Sequence, residues 1–216
     1  MSKFKCILMD LDGTLFDTSE GIMECYKMGL EKFGIFVKDN DELLKVLGPS
    51  LYISYRDFYG LDEMQVKEAV RIYREHYNGG GIYKCRMYDG MEDTLKSLKA
   101  NNFTVCVATS KPQVMAEKIL NHFGLAKYFD AICGAELDGS RSDKVELINT
   151  VLKQVSFTDK NEVVMVGDRF YDIKGAIDAG VHSIGVTYGF GTKEELTKAG
   201  AEYIVEAPGD ILKIVL

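Results

Sequence analysis

Asp10 and Asp12 stand two residues apart where a short apolar run, Ile7-Leu8-Met9, breaks into acid and glycine. Asp168, with Asp172 four residues on, repeats that break after Val163 to Val166. Thr109 and Ser110 close a third run, Phe103 to Ala108, and Lys144 follows the polar stretch 138–143. Taken singly, Asp10 or Asp12 reads as a strand ending in an Asp-Gly turn, and Lys144 as a solvated surface charge. Four carboxylates converging in one crevice are another matter. At an effective dielectric near 20, each pair about 4 Å apart repels by roughly 4 kcal/mol, so the quartet requires a counterion. Its donors are all oxygen, with no histidine or cysteine among them, which selects a hard cation. A site with few protein ligands, leaving places for water and a substrate oxygen, suits Mg²⁺ better than Ca²⁺.

Strands that end together must position these residues. Short continuous apolar runs recur at 4–11, 103–108, 129–133, 162–166, 183–186 and, weakly, 203–205, the signature of strands buried on both faces of a parallel sheet. Between them, apolar residues at spacings of three and four predict helices over 91–100, 113–123, 144–154, 172–179, 193–199 and 209–214, with Gly124, Gly180 and Gly200 where helix C-termini want them. The alternation predicts an α/β fold with a doubly wound parallel sheet, and in such sheets ligands bind beyond the carboxyl ends of the strands. The stretch after the first strand breaks the rhythm. It reads as helices at 19–33, 41–47, 51–59 and 62–77, far longer than one crossover needs. The expected organisation is a core of residues 1–15 and 86–216 with an inserted helical domain, 16–85, over the sheet's carboxyl edge. Thr14 to Thr18 and the glycines of Asn78-Gly79-Gly80-Gly81 are the expected hinges.

Composition bounds the function. With 216 residues and 46% hydrophobic content the chain can bury a sizeable core. A net charge of -7 argues against a nucleic-acid polymer or an anionic membrane surface as partner. No apolar stretch approaches the ~18 residues that span a bilayer, and the N-terminus lacks a signal-peptide pattern, so a cytoplasmic location is expected. The five scattered cysteines, Cys6, Cys25, Cys85, Cys106 and Cys133, form no Cys-x-x-Cys pair and read as small core residues.

Four ordered motifs, Asp10-Leu11-Asp12-Gly13-Thr14, Val-Ala-Thr109-Ser110, Lys144 and Gly167-Asp168-Arg-Phe-Tyr-Asp172, resemble those of the haloacid dehalogenase superfamily of phosphohydrolases. The resemblance covers the whole chain, and the helical insertion between the first and second motifs is similar to that of members with a helical cap. The segments 108–112, 137–144 and 188–192 resemble those of bacterial 5'-nucleotidases and phosphoglycolate-phosphatase-like enzymes. The resemblance implies a Mg²⁺-dependent phosphatase acting on a small-molecule phosphate ester. Asp10 would be the nucleophile that forms an aspartyl-phosphate, and Asp12 the acid that protonates the leaving group and the base that activates water. Thr109, Ser110 and Lys144 would hold the phosphoryl group, helped by backbone N–H groups around Ser110 and Leu11. Asp10, the carbonyl of Asp12, Asp168 and Asp172 would hold the metal. The chemistry agrees, because a carboxylate is already ionised at pH 7 and its anhydride with phosphate hydrolyses readily.

Many relatives carry proline after the motif's lysine, where this chain has Val145, and Arg141 is a nearby rival for the role of Lys144. A phosphomutase shares all four motifs and is the alternative enzyme. A phospho-receiver module is opposed by the insertion and by Asp12, which would shorten the life of a phosphorylated aspartate. Gly189 and Gly191 read as a turn, and His76, His122 and His182 as surface or packing residues. Tyr52, Tyr55, Phe58 and Tyr59 read as insertion core rather than a substrate platform. Arg56 and Lys111 are expected substrate contacts by position alone.

Overall fold

The computed structural model describes residues 3–137 and 141–216. Residues 138–140, part of the polar stretch before Lys144, lie outside it. The chain opens with β1 (Cys6–Met9) and β2 (Phe16–Asp17), then runs through α1 (Ser19–Glu31), α2 (Leu51–Tyr59) and α3 (Glu63–Asn78) to β3 (Arg86–Met87). After α4 (Met91–Ala100) strands and helices alternate: β4 (Thr104–Pro112), α5 (Gln113–His122), β5 (Ala131–Ala135), α6 (Lys144–Gln154), β6 (Val163–Gly167), α7 (Phe170–Ala179), β7 (His182–Val186), α8 (Lys193–Ala199), β8 (Tyr203–Val205) and α9 (Asp210–Val215). Two compact units result, one of residues 1–17 and 87–216, the other of residues 18–86.

The larger unit is built on a six-stranded sheet in the order β5-β4-β1-β6-β7-β8, every pairing parallel. The chain winds outward one way from β1 through β4 and β5 and the other way through β6 to β8. The order therefore reverses beside β1, at whose carboxyl end Asp10 and Asp12 lie. Alternation along the strands gives one face to Cys6, Leu8, Cys106, Ala108 and Met165, packed with Leu147, Ile148 and Val151 of α6 and Ala176 of α7. Cys6, Cys106 and Cys133 all serve this core, as their type suggested. Strand β4 runs four residues past the apolar run that announced it, into Thr109 to Pro112, and its ladder with β5 shifts register there.

The smaller unit is helical. Val66, Ala69, Val70, Tyr73 and Tyr77 form the buried stripe of α3, which packs on α1 and α2. Tyr26 and Tyr55 stack with ring centroids 4.0 Å apart, and the Tyr55 hydroxyl donates to the Tyr26 carbonyl at 3.1 Å. Asp62 and Gln65 close a reciprocal capping box at the start of α3. Three expectations need correcting here. The segment expected as a helix over 41–47 is a 3-10 helix, Asn40–Val46, whose buried Leu43 and Val46 lie three residues apart, the spacing that eclipses in that helix. Phe58 is exposed while Tyr55, three residues before it in α2, is buried. Gly79 continues the hydrogen bonding of α3, Gly80 adopts φ +144° with open space around it, and Gly81 is buried where a side chain would strike Cys25 Sγ. Cys85 is only half-buried, near the unit's end, with its Sγ donating to the Ile82 carbonyl. No helix among the described residues is long and apolar enough to cross a membrane.

Candidate active site

Beyond β1 the chain turns tightly, with the Leu11 carbonyl accepting the N–H groups of Thr14, Leu15 and Phe16. Gly13 sits in this turn at φ +76°, with no room for a side chain because Asp168's carboxylate lies against it. The turn leaves the Asp10 carboxylate mostly buried. Oδ1 accepts the Leu11 N–H at 2.8 Å, Oδ2 lies 3.3 Å from Lys144 Nζ, and the Thr109 hydroxyl also bonds to the side chain. Burial pushes the Asp10 carboxyl from its ordinary 3.8 up to about 6, Lys144 drawing it down and Asp172 pushing it further up.

Lys144 opens α6, whose N-terminus is capped by Asp143 accepting the Glu146 N–H. Its side chain is buried, passing over Gly175 of α7, where any side chain would meet the lysine stem. Nζ donates to the Ala108 carbonyl at 3.1 Å and lies 2.7 Å from Asp172 Oδ1. The Asp172 contact is an ion pair without the angles of a hydrogen bond, which leaves Oδ1 with no hydrogen-bond partner. Burial works against the ammonium, but Asp10 and Asp172 outweigh it and hold Lys144 above the usual lysine range.

The third part of the site comes from the ends of β6 and β7. Asp168 is fully buried, with Oδ2 accepting the Phe190 N–H at 2.7 Å and Oδ1 without any hydrogen-bond partner. Burial raises its carboxyl well above the ordinary range, and Asp172 and Asp10 add to the rise. Asp172 Oδ2 accepts the Arg169 N–H at 3.0 Å, and Glu195 accepts from Arg169 Nε and the Phe170 N–H, both at 2.9 Å, which pins the loop between β6 and α7. Asp10, Asp168 and Asp172 each bring a carboxylate oxygen within 4.8 Å of the others. Three crowded carboxylates, two of which hold a buried oxygen without a hydrogen-bond partner, fit a hard divalent cation.

Residues 7–186 match the family model of the haloacid dehalogenase-like hydrolases. The chain belongs to that family. It is 42% identical over 194 residues to the 5'-nucleotidase of Pseudomonas aeruginosa, covering 90% of this chain and 87% of that protein. It is 33% identical over 201 residues to the tyrosine-protein kinase PtkA of Mycobacterium tuberculosis, covering 93% of this chain and 68% of that one. A predicted phosphatase from Clostridium acetobutylicum has the same fold, with a TM-score of 0.93 at 44% identity over 98% of both chains. The resemblance drawn from the four motifs is borne out, and the chain is a phosphatase of this family.

In this haloacid dehalogenase-like hydrolase the sheet brings together Asp10, Thr109, Lys144, Asp168 and Asp172. Arg141, the rival of Lys144, turns away to the Gly134 carbonyl and to Glu136. The four converging carboxylates are three. The side chain of Asp12 leaves the cluster and pairs with Lys111, so any part Asp12 takes in holding metal falls to its backbone carbonyl. Lys111 in turn is directed at Asp12. The Ser110 hydroxyl donates to the Ser142 carbonyl, and the Leu11 N–H serves Asp10 itself. Arg56 is exposed and pairs with its neighbour Asp57. The loop 188–191, read as a plain turn, belongs to the site: Phe190 N–H binds Asp168, and Gly189 lies where a side chain would overlap the Gly13 carbonyl. The signal was its position, the carboxyl end of a strand adjoining β6.

Proposed function

We propose that this phosphatase hydrolyses a small-molecule phosphomonoester, a 5'-nucleotide or a phosphoglycolate-like ester, through a phosphorylated Asp10. The observation that carries the reading is the Asp10 carboxylate, held by Leu11 N–H, the Thr109 hydroxyl and Lys144 beside two further carboxylates. With its carboxyl at about 6, Asp10 is roughly nine-tenths ionised at pH 7, as a nucleophile must be. One of its oxygens forms a bond to phosphorus as the ester P–O bond breaks, and Asp12 gives a proton to the departing oxygen. Asp12 then takes a proton from the water that attacks the aspartyl-phosphate, freeing inorganic phosphate. Thr109 donates to a phosphoryl oxygen. Lys144, fixed between Asp10 and Asp172, sets a permanent positive charge against the developing negative charge. Asp10, Asp168, Asp172 and the Asp12 carbonyl would hold Mg²⁺, which when bound offsets the repulsion between a carboxylate and a phosphate dianion.

The test is phosphate release from a panel of nucleoside monophosphates, phosphoglycolate and sugar phosphates, with Mg²⁺ and after exhaustive chelation. Stoichiometric inorganic phosphate without isomerised sugar phosphate separates hydrolysis from phosphomutase action. Undiminished turnover in chelator removes the metal from the reading. Substantial turnover in a purified Asp10→Asn variant moves the nucleophile elsewhere.

A further inference from the structure

Among the described residues, the deepest ion pair that the proposed reaction leaves unused joins Lys111 to Asp12. The Lys111 side chain is 4% exposed, against 22% for Asp12, and its Nζ lies 2.9 Å from Oδ1 and 3.0 Å from Oδ2. Near-equal distances put the ammonium close to the bisector of the carboxyl group. That contact fixes both side-chain torsions of Asp12 and leaves the outer lone pair of each oxygen open.

The approach is built into the sheet. Strands β1 and β4 run side by side with Met9 opposite Val107, and the two-residue step from Asp10 to Asp12 is answered by the step from Thr109 to Lys111. Thr109 meets the first aspartate and Lys111 the second. The end of β4 departs from a regular ladder to do this. Its register with β5 shifts between Thr109 and Pro112, the Lys111 N–H donates to Thr109 Oγ1 at 3.2 Å, and Gly134 on β5 leaves the space that the Lys111 carbonyl and Gln113 occupy. Packing alone does not account for a lysine here. An apolar side chain of similar length fills such a volume without the cost of removing an ammonium from water.

We infer that Lys111 is the positioning residue for the Asp12 carboxyl, holding it where its proton meets the leaving oxygen. The inference rests on the proposed aspartyl-phosphate reaction. In the step concerned, the bond from Asp10 to phosphorus forms, the ester P–O bond breaks, and the leaving oxygen takes the Asp12 proton. Lys111 neither gives nor takes a proton. Its effect is therefore largest for esters whose leaving oxygen is strongly basic and needs protonation, and small for esters whose leaving group departs as a stable anion.

A series of substituted phenyl phosphates of graded leaving-group acidity, assayed as kcat/KM with Mg²⁺, separates positioning from a general loss of structure. The expected result for Lys111→Met is a fall of about ten- to a hundredfold on phenyl phosphate, the scale of a misplaced catalytic group, and a far smaller fall on the 4-nitrophenyl ester. The dependence on leaving-group acidity then steepens toward that of Asp12→Asn, and the double variant is no slower than Asp12→Asn alone. Lys111→Gln is carried in parallel, so that either soluble variant gives the slope. A uniform fall across the series with the slope unchanged, or losses that multiply in the double variant, overturns the inference. If Asp12→Asn itself leaves the slope of the parent enzyme, the acid role of Asp12 falls, and the positioning role falls with it. A steep Asp12→Asn beside an unchanged Lys111→Met slope defeats the positioning role alone.

Discussion

Asp10→Asn should abolish turnover and at the same time make the metal-free protein more stable. The Asp10 carboxyl is raised from 3.8 to about 6 by burial, with Lys144 opposing and Asp172 reinforcing the rise. The folded state therefore binds this proton more tightly than the unfolded chain does. Below about pH 4 the group is protonated in both states and adds no strain. As the pH climbs toward 6 the unfolded chain ionises first, and stability is lost; above 6 the whole difference has gone, about 3 kcal/mol at roughly 1.4 kcal/mol for each tenfold change in binding. Asparagine keeps the shape and an acceptor for the Leu11 N–H but never ionises. Its expected gain is about 1 kcal/mol at pH 4.5 and about 3 kcal/mol at pH 7.5. For a chain of this length 3 kcal/mol is a rise in melting temperature of about 6 to 12 °C. Thermal or urea unfolding of parent and variant in chelator at the two pH values measures it. Added Mg²⁺ should then narrow the gap, because the ion binds the parent's ionised cluster more tightly. The reasoning is refuted if the variant melts at or below the parent at pH 7.5, or if the gain is the same at both pH values.

Three further outcomes follow from the same contacts. Lys144→Met removes the charge between Asp10 and Asp172, and kcat should fall by about 10²- to 10³-fold, the usual loss when a preorganised electrostatic partner is removed; steady-state kinetics on the best ester of the panel checks it. Gly13→Ala places a side chain against the Asp168 carboxylate at φ +76°, so it should cost at least about 1 kcal/mol in stability and weaken Mg²⁺ binding, both read from melts with and without the ion. Tyr55→Phe deletes the hydroxyl that bonds to the Tyr26 carbonyl and should lower stability by about 1 kcal/mol, measured by urea unfolding.

The alternation of short apolar runs with helical spacing was legible because strands of a parallel sheet are buried on both faces and so read as continuous hydrophobic runs. Positions at or just after the ends of those runs pointed to Asp10, Thr109, Asp168 and Asp172, since a doubly wound sheet exposes its carboxyl ends as a crevice, while Lys144 was marked by its place at the start of a helix after a polar stretch. Hence the sequence by itself determined the fold class, the family, and most of the residues that meet in the site.

What it left open depends on contacts between distant residues. Whether the Asp12 side chain joins the other carboxylates or turns to Lys111, 99 positions away, is decided by how β4 bends at its end. Whether Lys144 or Arg141 reaches Asp10 depends on the room over Gly175, and whether loop 188–191 is a plain turn or a support for Asp168 depends on how closely β6 and β7 bring it to Gly13. Spacing along the chain specifies which residues share a face of one element. Only the packed sheet specifies which of them, on different strands, come within the few ångströms over which a charge or a hydrogen bond acts.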